Sequence, residues 1–400
     1  MTTIRLPSGV RDFLPRAAAR RRALADRAQA VFEAWGYQRV ITPYFEVSDV
    51  LERGLGASSR AAAVRFVEPG TGQIVALRPD ITPQIARIVA TRMADVPPPL
   101  RLCYEGAVTR LAGEAGQREI LQAGIELVGA PDRDADAEVV AVAWAAVRAL
   151  DLPELRIDLG HVAPAAHVLA HAAMPERLAP AIARKDRASV RAATEDPLAQ
   201  ALVHLWGSAD DVLARARALP WPAAILRSLD ELADVIDGFR SKVGERVDVT
   251  IDLGDLRGFD YYTGMKLAVY AGGAPDAIAR GGRYDELLGK YGREMHAVGF
   301  AIDLEAVAQA QRAAGVSAPR AAIGVAVSDP ALARALRAAG LRVVVQTDAD
   351  SAWLRGAGLD AAIVGDQLAF SDDSRRPAKA AIEAAAAGDT GPLIALLQAT

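Results

Sequence analysis

Cysteine, histidine and long apolar runs are all scarce in this chain of 400 residues. The single cysteine, Cys103, excludes an internal disulfide framework and a cysteine-based zinc site. The longest uncharged apolar run, Val139 to Val147, is far shorter than the ~20 residues that span a bilayer. The start MTTIRLPSGVRDFLP lacks the apolar segment of a signal peptide. We therefore expect a reducing, cytoplasmic setting without membrane contact.

Basic charge is not in excess either. The net charge is −4 and the sequence pI about 5.8, so the chain offers no overall basic surface for nucleic acid, although a local patch could still act. Arginines 20 to 22 are interpreted as a solvated helix start, and tRNA is not expected as a partner. Of the five histidines, His167 and His171 are four apart, but no carboxylate lies beside them as in a zinc helix. We expect no metal and no cofactor.

What the chain does have is the apolar content for large cores, with 52% hydrophobic and 24% charged residues over a length that predicts two or three domains. Strand-like segments in residues 1–162 and 246–316 enclose a run of helical patterns broken by proline and glycine. We predict that the two flanking parts form one mixed, mainly antiparallel sheet and that residues 163–245 are an all-helical insertion. A linker, residues 317–321, should lead to a small α/β domain at 321–400.

One segment is unusually rich in polar groups. DLRGFDYYTGMKLAVYAGG, residues 255–273, places an arginine, an aspartate and two tyrosines within six residues, beside an apolar strand. If this segment is extended, Tyr261 and Tyr262 point to opposite faces, and we take Tyr262 as the ligand contact and Tyr261 as a core residue. Arg257 and Asp260 could instead form a surface ion pair.

Two further segments contain polar candidates. Asp80 and Thr82 precede a helical pattern that starts at Pro83, and Thr82 as the N-cap would explain them without a ligand. Gln122 and Glu126 lie four apart on a strand-like segment and so share one face. From spacing alone, that face is either a solvated surface or the wall of a site.

In this order, these segments resemble the class II synthetase core of the histidyl-tRNA synthetase family, which includes a non-aminoacylating branch. The resemblance covers about residues 4–316. Its landmarks are GVRDFLP with GYQRVITPYFE, LRPDITPQIAR, QAGIELVG, RGFDYYTG, and GGRYDELL with AVGFAI. It implies an α+β fold: a class II synthetase-like core with a mixed, mainly antiparallel sheet, a helical insertion, and a small C-terminal α/β domain similar to a degenerate anticodon-binding domain.

The resemblance also implies a histidine pocket. The family's histidine-contacting positions fall here on Asp80, Thr82, Arg110, Gln122, Glu126, Arg257, Tyr261 and Tyr262. In the family, the acidic residue, the threonine and the glutamine hold the ammonium group. The glutamate and the second tyrosine hold the imidazole ring, and the two arginines hold the carboxylate. Such a set pairs every charge of a zwitterion, which would otherwise be costly to bury.

The ATP motifs of the family are not matched. Motif 2 would carry a glutamate that reads adenine, but the chain has Ala112 there, in a short loop, LAGEAG, without basic residues. Motif 3 would end in an arginine for the γ-phosphate, but Ala306 takes its place and Asp303 replaces a glycine. Both changes disfavour a triphosphate. We therefore expect no catalytic residues and no enzymatic activity of the chain itself.

A pocket that binds an end product without converting it suits a sensor. The non-aminoacylating branch implies a regulatory subunit of ATP phosphoribosyltransferase, the first step of histidine biosynthesis, needed for activity and for histidine feedback. The expected partners are the short-form catalytic subunit, L-histidine and a second copy of the chain, bound through GYQRVITPYFE. Two alternatives stay open: a histidyl-tRNA synthetase with divergent motifs, and a synthetase-like protein that binds another small molecule.

Overall fold

The computed structural model describes residues 5–111, 117–259, 261–317 and 323–398, apart from the side chain of Ser58. By internal contacts the chain divides into two compact units, Met1–Ser317 and Ala318–Thr400. Most of the predicted linker, residues 317–321, lies outside the described residues.

The first unit mixes helices and strands throughout. Its helices are α1 (Pro15–Ala34), α2 (Ser48–Arg53), α3 (Ala57–Ala61), α4 (Thr82–Thr91), α5 (Arg133–Arg148), α6 (Val162–His171), α7 (Pro175–Ala183), α8 (Arg187–Ala193), α9 (Pro197–Leu202), α10 (Ala209–Arg217), α11 (Ala223–Val243) and α12 (Leu304–Ala313). Its strands are β1 (Gln38–Arg39), β2 (Phe45–Val47), β3 (Arg65–Val67), β4 (Ile74–Leu77), β5 (Leu100–Thr109), β6 (Glu119–Val128), β7 (Arg156–His161), β8 (Trp206–Ser208), β9 (Val249–Asp252), β10 (Met265–Tyr270), β11 (Ala279–Arg283) and β12 (Ala297–Asp303). A 3-10 turn covers Leu288–Tyr291, where the sequence indicated a helix.

A nine-stranded sheet forms the centre of this unit, in the order β1-β5-β6-β12-β11-β10-β7-β9-β8. Its pairs are antiparallel except for β1 with β5 and β7 with β9. Strands from both sides of the insertion alternate, since β12 pairs with β6 and β10 pairs with β7. The prediction of one mixed, mainly antiparallel sheet is confirmed.

The segment predicted to be all-helical contains one strand. Helices α6 to α11 lie between β7 and β9, but β8 pairs antiparallel with β9 and forms one edge of the large sheet. The all-helical prediction is therefore wrong at residues 206–208. A three-residue strand is too short to show alternation, and it forms here because β9 offers it an open edge.

The two faces of the large sheet differ in chemistry. One face packs against α1, α5 and α12 through a large apolar core that includes Phe32, Ile125 and Phe300. The opposite face carries Gln122 and Glu126, because residues two apart on a strand point the same way. A second core, which includes Ile85 on α4, covers part of that face. The rest of it is left for a cleft.

Two smaller sheets complete the structure. Strands β2, β4 and β3 form an antiparallel sheet, in which β3 and β4 are a hairpin that turns around residues 69–72. In the second unit, β13 (Gly324–Val327), β14 (Arg342–Val345), β15 (Ala361–Val364), β16 (Gln367–Phe370) and β17 (Arg375–Pro377) form a sheet in the order β14-β13-β15-β16-β17. Its helices are α13 (Pro330–Ala338), α14 (Ser351–Ala357), α15 (Lys379–Ala386) and α16 (Gly391–Gln398). Parallel pairing of β13 with β14 and β15 makes it a small α/β unit.

Among the helices of the described ranges, none is long and apolar enough to cross a membrane.

Candidate functional site

A cleft of about 280 Å³ opens on the polar face of the large sheet. Directly opposite Gln122 and Glu126 on β12 lie Asp303 and Gly299, and Arg280 on β11 lies opposite Ala301. Opposite residues share a face, so three neighbouring strands bring these groups together. Six of the eight predicted site residues line the cleft: Asp80, Thr82, Arg110, Gln122, Tyr261 and Tyr262.

Glycines keep the floor of the cleft open; the floor is the part of the sheet around Gly124, Glu126 and Gly299. A Cβ added at Gly299 would collide with the carboxylate of Glu126, and one added at Gly124 would meet the Tyr104 hydroxyl and a backbone carbonyl. A side chain of any size at these two positions would displace the polar groups around them. The backbone of the sheet therefore lies close to the cleft at the position of Glu126.

Glu126 lies beneath the cleft rather than in its wall. It is 2% exposed, Thr82 donates to its Oε1 at 2.6 Å, and the hydroxyl of Tyr284 bonds its Oε2. Burial raises the pKa of Glu126 well above its usual range. The reading of Gln122 and Glu126 as a solvated face is wrong, because both are buried.

Thr82 does not cap α4. The helix starts at Thr82 itself, and Asp80 Oδ1 instead accepts from the backbone N–H groups of Ile81, at 2.7 Å, and of Thr82, at 3.4 Å. The Thr82 hydroxyl is thereby free to bind Glu126. Capping alone thus explains neither the position nor the partner of Thr82.

Several buried polar atoms in and below the cleft have no hydrogen-bond partner among the described residues. They are Gln122 Oε1 and the hydroxyl groups of Tyr104 and Tyr261. A buried polar atom without a partner costs about 1–3 kcal/mol, and native proteins contain few of them. Three such atoms at one cleft are the pattern of a binding site for a polar ligand.

Both tyrosines of the pair line the cleft. The backbone N–H groups of Tyr261 and Tyr262 both donate to the carbonyl of Gly258 at 3.0 Å, so the segment turns instead of extending. The premise that one ring faces away is therefore wrong. Gly258 has a φ of 68°, and a Cβ there would collide with the Tyr262 ring. Asp260, the suggested partner of Arg257, lies outside the described residues.

Arg257 is not among the residues that line the cleft. Its guanidinium donates to Asp255 at 2.9 Å and to the Tyr270 hydroxyl at 2.9 Å, and it lies 3.5 Å from Asp276. It borders a side chamber of about 130 Å³ that shares Gly258, Tyr262 and Arg280 with the cleft.

Arg280 was missed by the sequence analysis. It lines both the cleft and the side chamber and pairs with Asp276 at 2.5 Å. The sequence AIARGG does not show to which face of the sheet its arginine points. The register with β12 supplies that information, and single-strand alternation does not. Tyr284 and Tyr104 were missed for the same reason.

The opposite end of the cleft is closed by internal bonds. Asp303 Oδ1 accepts from the backbone N–H groups of Glu305 at 2.8 Å and of Ala306 at 2.9 Å, and so caps α12. Arg110 Nε donates to the carbonyl of Pro79 at 2.9 Å. Ala112 and the loop that follows it lie outside the described residues.

Comparison with known proteins places the chain in a class. Residues 9–307 match a family model described as histidyl-tRNA synthetase. A crystal structure of histidyl-tRNA synthetase from Nostoc sp. PCC 7120 superposes with a TM-score of 0.79 over 96% of this chain and 99% of that chain, at 22% identity, which shows the fold. The chain therefore has the class II synthetase fold of the histidyl type, as predicted.

The curated relatives are more specific. A protein of Anaeromyxobacter dehalogenans (strain 2CP-1) is 42% identical over 326 residues, 78% of this chain and 92% of the relative. One of Geobacter metallireducens is 39% identical over 319 residues, 76% of this chain and 73% of the relative. Both are named ATP phosphoribosyltransferase regulatory subunit. A Bacillus halodurans crystal structure described as such a subunit/histidyl-tRNA synthetase has a TM-score of 0.76 at 26% identity, over 86% of this chain and 93% of that chain. The chain belongs to the family of ATP phosphoribosyltransferase regulatory subunits.

Proposed function

We propose that this regulatory subunit binds L-histidine in the cleft and transmits the binding to the catalytic subunit of ATP phosphoribosyltransferase, at the first step of histidine biosynthesis. The chain is non-catalytic; its short-form partner needs it for activity and for histidine feedback. The observation that supports this most directly is the set of buried, unpartnered polar atoms of Gln122, Tyr104 and Tyr261 at a cleft that arginines also line.

The charges of the cleft complement a histidine zwitterion. Asp80 and Glu126 make one side acidic, which suits the ammonium group and a ring N–H. Gln122 Oε1 is a further buried acceptor. Tyr261 and Tyr262 add ring surface and hydroxyl groups at the same side.

The carboxylate of the ligand belongs at the basic side of the cleft. Arg110 and Arg280 line the cleft there, whereas Arg257 is bound to Asp255 and Tyr270. We assign the carboxylate to Arg280, because the Arg110 guanidinium already donates to the carbonyl of Pro79. Arg257 contributes indirectly, through Asp276, whose carboxylate contacts both Arg257 and Arg280.

The synthetase alternative is disfavoured at the phosphate end. The first backbone N–H groups of a helix are a natural site for a phosphate, but those of α12 are already bonded to the Asp303 carboxylate. A triphosphate would have to displace that carboxylate and lie close to its charge.

A second copy of the chain is expected on the apolar surface around residues 41–45 and the small sheet. Ile41, Tyr44, Phe45, Phe66, Val67 and Ile74 are exposed there, and the rings of Phe45 and Phe66 contact each other, with centroids 5.8 Å apart. Exposed apolar groups clustered in this way are typical of protein interfaces.

The cleft is tied to that surface by direct bonds. Arg78, two residues before Asp80, donates to the carbonyls of Thr42 at 3.0 Å and Pro43 at 3.3 Å, and Gln84 donates to that of Pro43 at 3.0 Å. The segment that would meet ligand and the segment that would meet a partner therefore move together. This is the physical connection that an allosteric coupling of ~1–3 kcal/mol requires.

The test is reconstitution with a short-form catalytic subunit. Size-exclusion chromatography with light scattering should show a symmetric hetero-oligomer, and phosphoribosyl-ATP synthesis should rise and become sensitive to histidine. Glu126→Gln should leave assembly intact and blunt the inhibition. Absence of a co-complex, together with activity indifferent to this chain, would contradict the proposal.

A separate variant tests the proposed dimer. Ile41→Asp should shift the free chain from dimer to monomer in light scattering, because it places a charge in the apolar surface. Val364→Asp, at an exposed valine of the second unit, is the matched control and should leave the mass unchanged. A wild-type chain that is monomeric at every concentration would contradict this assignment.

A further inference from the structure

The helical insertion contains a second cavity, distant in sequence from every residue of the cleft. Its volume is about 230 Å³, and it lies between α8 and α9 and the turn that follows them. Its polar lining consists of Arg187, Arg191, Gln200 and His204, and its other lining residues are apolar. No carboxylate lines it, in a chain that has more acidic than basic residues.

The two arginines of this cavity lack counter-charges. Arg187 and Arg191 are four apart on α8, so their side chains lie on the same helix face. Neither guanidinium group forms an ion pair or a hydrogen bond with any residue that the structure describes. Like charges at this spacing destabilise a helix, and an anion between them would remove that cost.

Two carboxylates that flank the cavity in sequence are engaged elsewhere. Asp186 accepts from the backbone N–H of Ser189 at 3.1 Å and from its hydroxyl at 2.6 Å, and Asp196 accepts from Leu198 N–H at 3.0 Å. Neither forms an ion pair with the arginines of the cavity, whereas Arg217, elsewhere in the insertion, pairs with Asp230 at 2.8 Å.

A third cation stands at the edge of the cavity. Arg215 pairs with Asp211 at 2.8 Å, and it also donates to the carbonyls of His204 at 2.7 Å and Trp206 at 3.2 Å. Burial and the charges of Arg187, Arg191 and Arg215 lower the pKa of His204. A neutral imidazole can still donate one hydrogen bond to an anion.

We propose that this cavity is a binding site for a small phosphate-bearing anion, held between Arg187 and Arg191, with His204 and Gln200 beside it. The planar donor forks of arginine match the oxygen atoms of phosphate. A compact anion fits better than a nucleic acid, because the cavity holds only about 230 Å³ and the chain has a net charge of −4.

The full-length chain offers a direct readout, because it has five histidines whose ring signals can be assigned by NMR. Inorganic phosphate should raise the pKa of His204 by about one unit, since an anion nearby favours the protonated ring. The ring signals of His161 and His296, which do not line this cavity, should not respond. Sodium chloride at matched ionic strength should have no such effect.

Two variants complete the test. Arg187→Ala should abolish the response to phosphate, and Arg187→Lys should weaken phosphate binding about tenfold, because a point charge replaces the fork. Arg177→Ala, on α7 and outside the cavity, is the control and should behave as wild type. Arg187 is exposed, so its variants should unfold at the wild-type temperature.

The outcomes are distinct. Equal binding of phosphate and ribose 5-phosphate would identify the free anion as the ligand, and tighter binding of the ester would identify a phosphorylated metabolite; both support the site. An unchanged pKa of His204 at saturating phosphate, a response that persists in Arg187→Ala, or a response to RNA oligonucleotides but not to phosphate would each overturn it. None of these results depends on histidine binding in the cleft.

Discussion

The two ends of the cleft differ in how their hydrogen-bonding groups are satisfied. At the floor, Glu126 is bonded to Thr82 and Tyr284, yet the nearby hydroxyl groups of Tyr104 and Tyr261 have no partner among the described residues. At the other end, the Asp303 carboxylate bonds the first N–H groups of α12. One end can still accept a ligand, whereas the other is closed by the chain's own side chain.

This difference explains how a synthetase-like fold can keep recognition and lose chemistry. An acidic N-cap stabilises a helix by about 1 kcal/mol. Asp303 therefore stabilises α12, and at the same position its negative charge disfavours the binding of a phosphate. Unpartnered buried atoms, in contrast, cost free energy in the absence of a ligand. Their presence at the floor therefore indicates that this end is built for binding.

The largest expected effect on histidine affinity comes from a substitution of Glu126 at the floor of the cleft. Glu126→Gln keeps the shape of the side chain but cannot ionise when the cationic group of a ligand binds beside it. Histidine affinity should therefore fall about 100-fold, equivalent to roughly 2.7 kcal/mol for a buried charged partner. Isothermal titration calorimetry measures this directly. Glu286→Gln, on an exposed turn, is the control with the same chemical change. Wild-type affinity in Glu126→Gln would refute the assignment of the floor.

A second experiment separates the two arginines by the ligand group that they bind. Arg280→Ala should weaken histidine binding about 30-fold, as the loss of a charge-assisted hydrogen bond predicts. It should leave the affinity for histidinol, which has no carboxylate, almost unchanged. Arg257→Ala should have a smaller effect on histidine, because this side chain is bound to Asp255 and Tyr270. If Arg257→Ala discriminates between the two ligands and Arg280→Ala does not, the carboxylate is bound by the other arginine.

The closed end can be opened by a single change. Asp303→Gly removes the carboxylate from the start of α12 and frees two N–H groups, so the affinity for pyrophosphate should rise about tenfold. Histidine-dependent ATP–pyrophosphate exchange should stay undetectable in wild type and variant, since Ala306 supplies no arginine for the γ-phosphate. Exchange by the wild-type chain would restore the synthetase alternative.

Much of the fold could be predicted from the sequence because its signals are periodic. The largely apolar segments LRLCYEGAVT and EILQAGIELV mark β5 and β6, and the spacing of Gln122 and Glu126 places both on one face. The short strand β8 could not be found in this way, because three residues show no period.

The site was harder to predict because it depends on register and turns. Arg280 enters the cleft through its pairing opposite Ala301, which no local pattern encodes. Tyr261 lines the cleft because its segment turns at Gly258, although adjacent residues of a strand would diverge. For Arg257, residue type suggested a ligand contact, but bonds to Asp255 and Tyr270 hold its guanidinium elsewhere. A long side chain can bond several nearby partners, and the tertiary structure determines which of them it contacts.

The smallest expected effect concerns the side chamber, where Asp158 is half-buried with one hydroxyl donor, Thr250, at 2.8 Å. Burial raises the pKa of Asp158 to about 6, from 3.8. Because the folded-state pKa lies above the unfolded value, the stability that this group contributes is complete below about pH 4 and is lost as the pH rises through about 6. Asp158→Asn has no charge to bury, so it should be more stable than wild type at pH 8, by about 1 kcal/mol once the weaker bond to Thr250 is included.

Urea unfolding at pH 4 and pH 8 measures this difference, which should vanish at the lower pH, where wild type is also neutral. Asp211→Asn, at an exposed carboxylate of the insertion, is the control and should show no gain at pH 8. If Asp158→Asn is less stable than wild type at pH 8, the ionised carboxylate is compensated inside the chamber. The side chamber would then resemble the closed end of the cleft, where the Asp303 carboxylate is already hydrogen-bonded, and would differ from the floor.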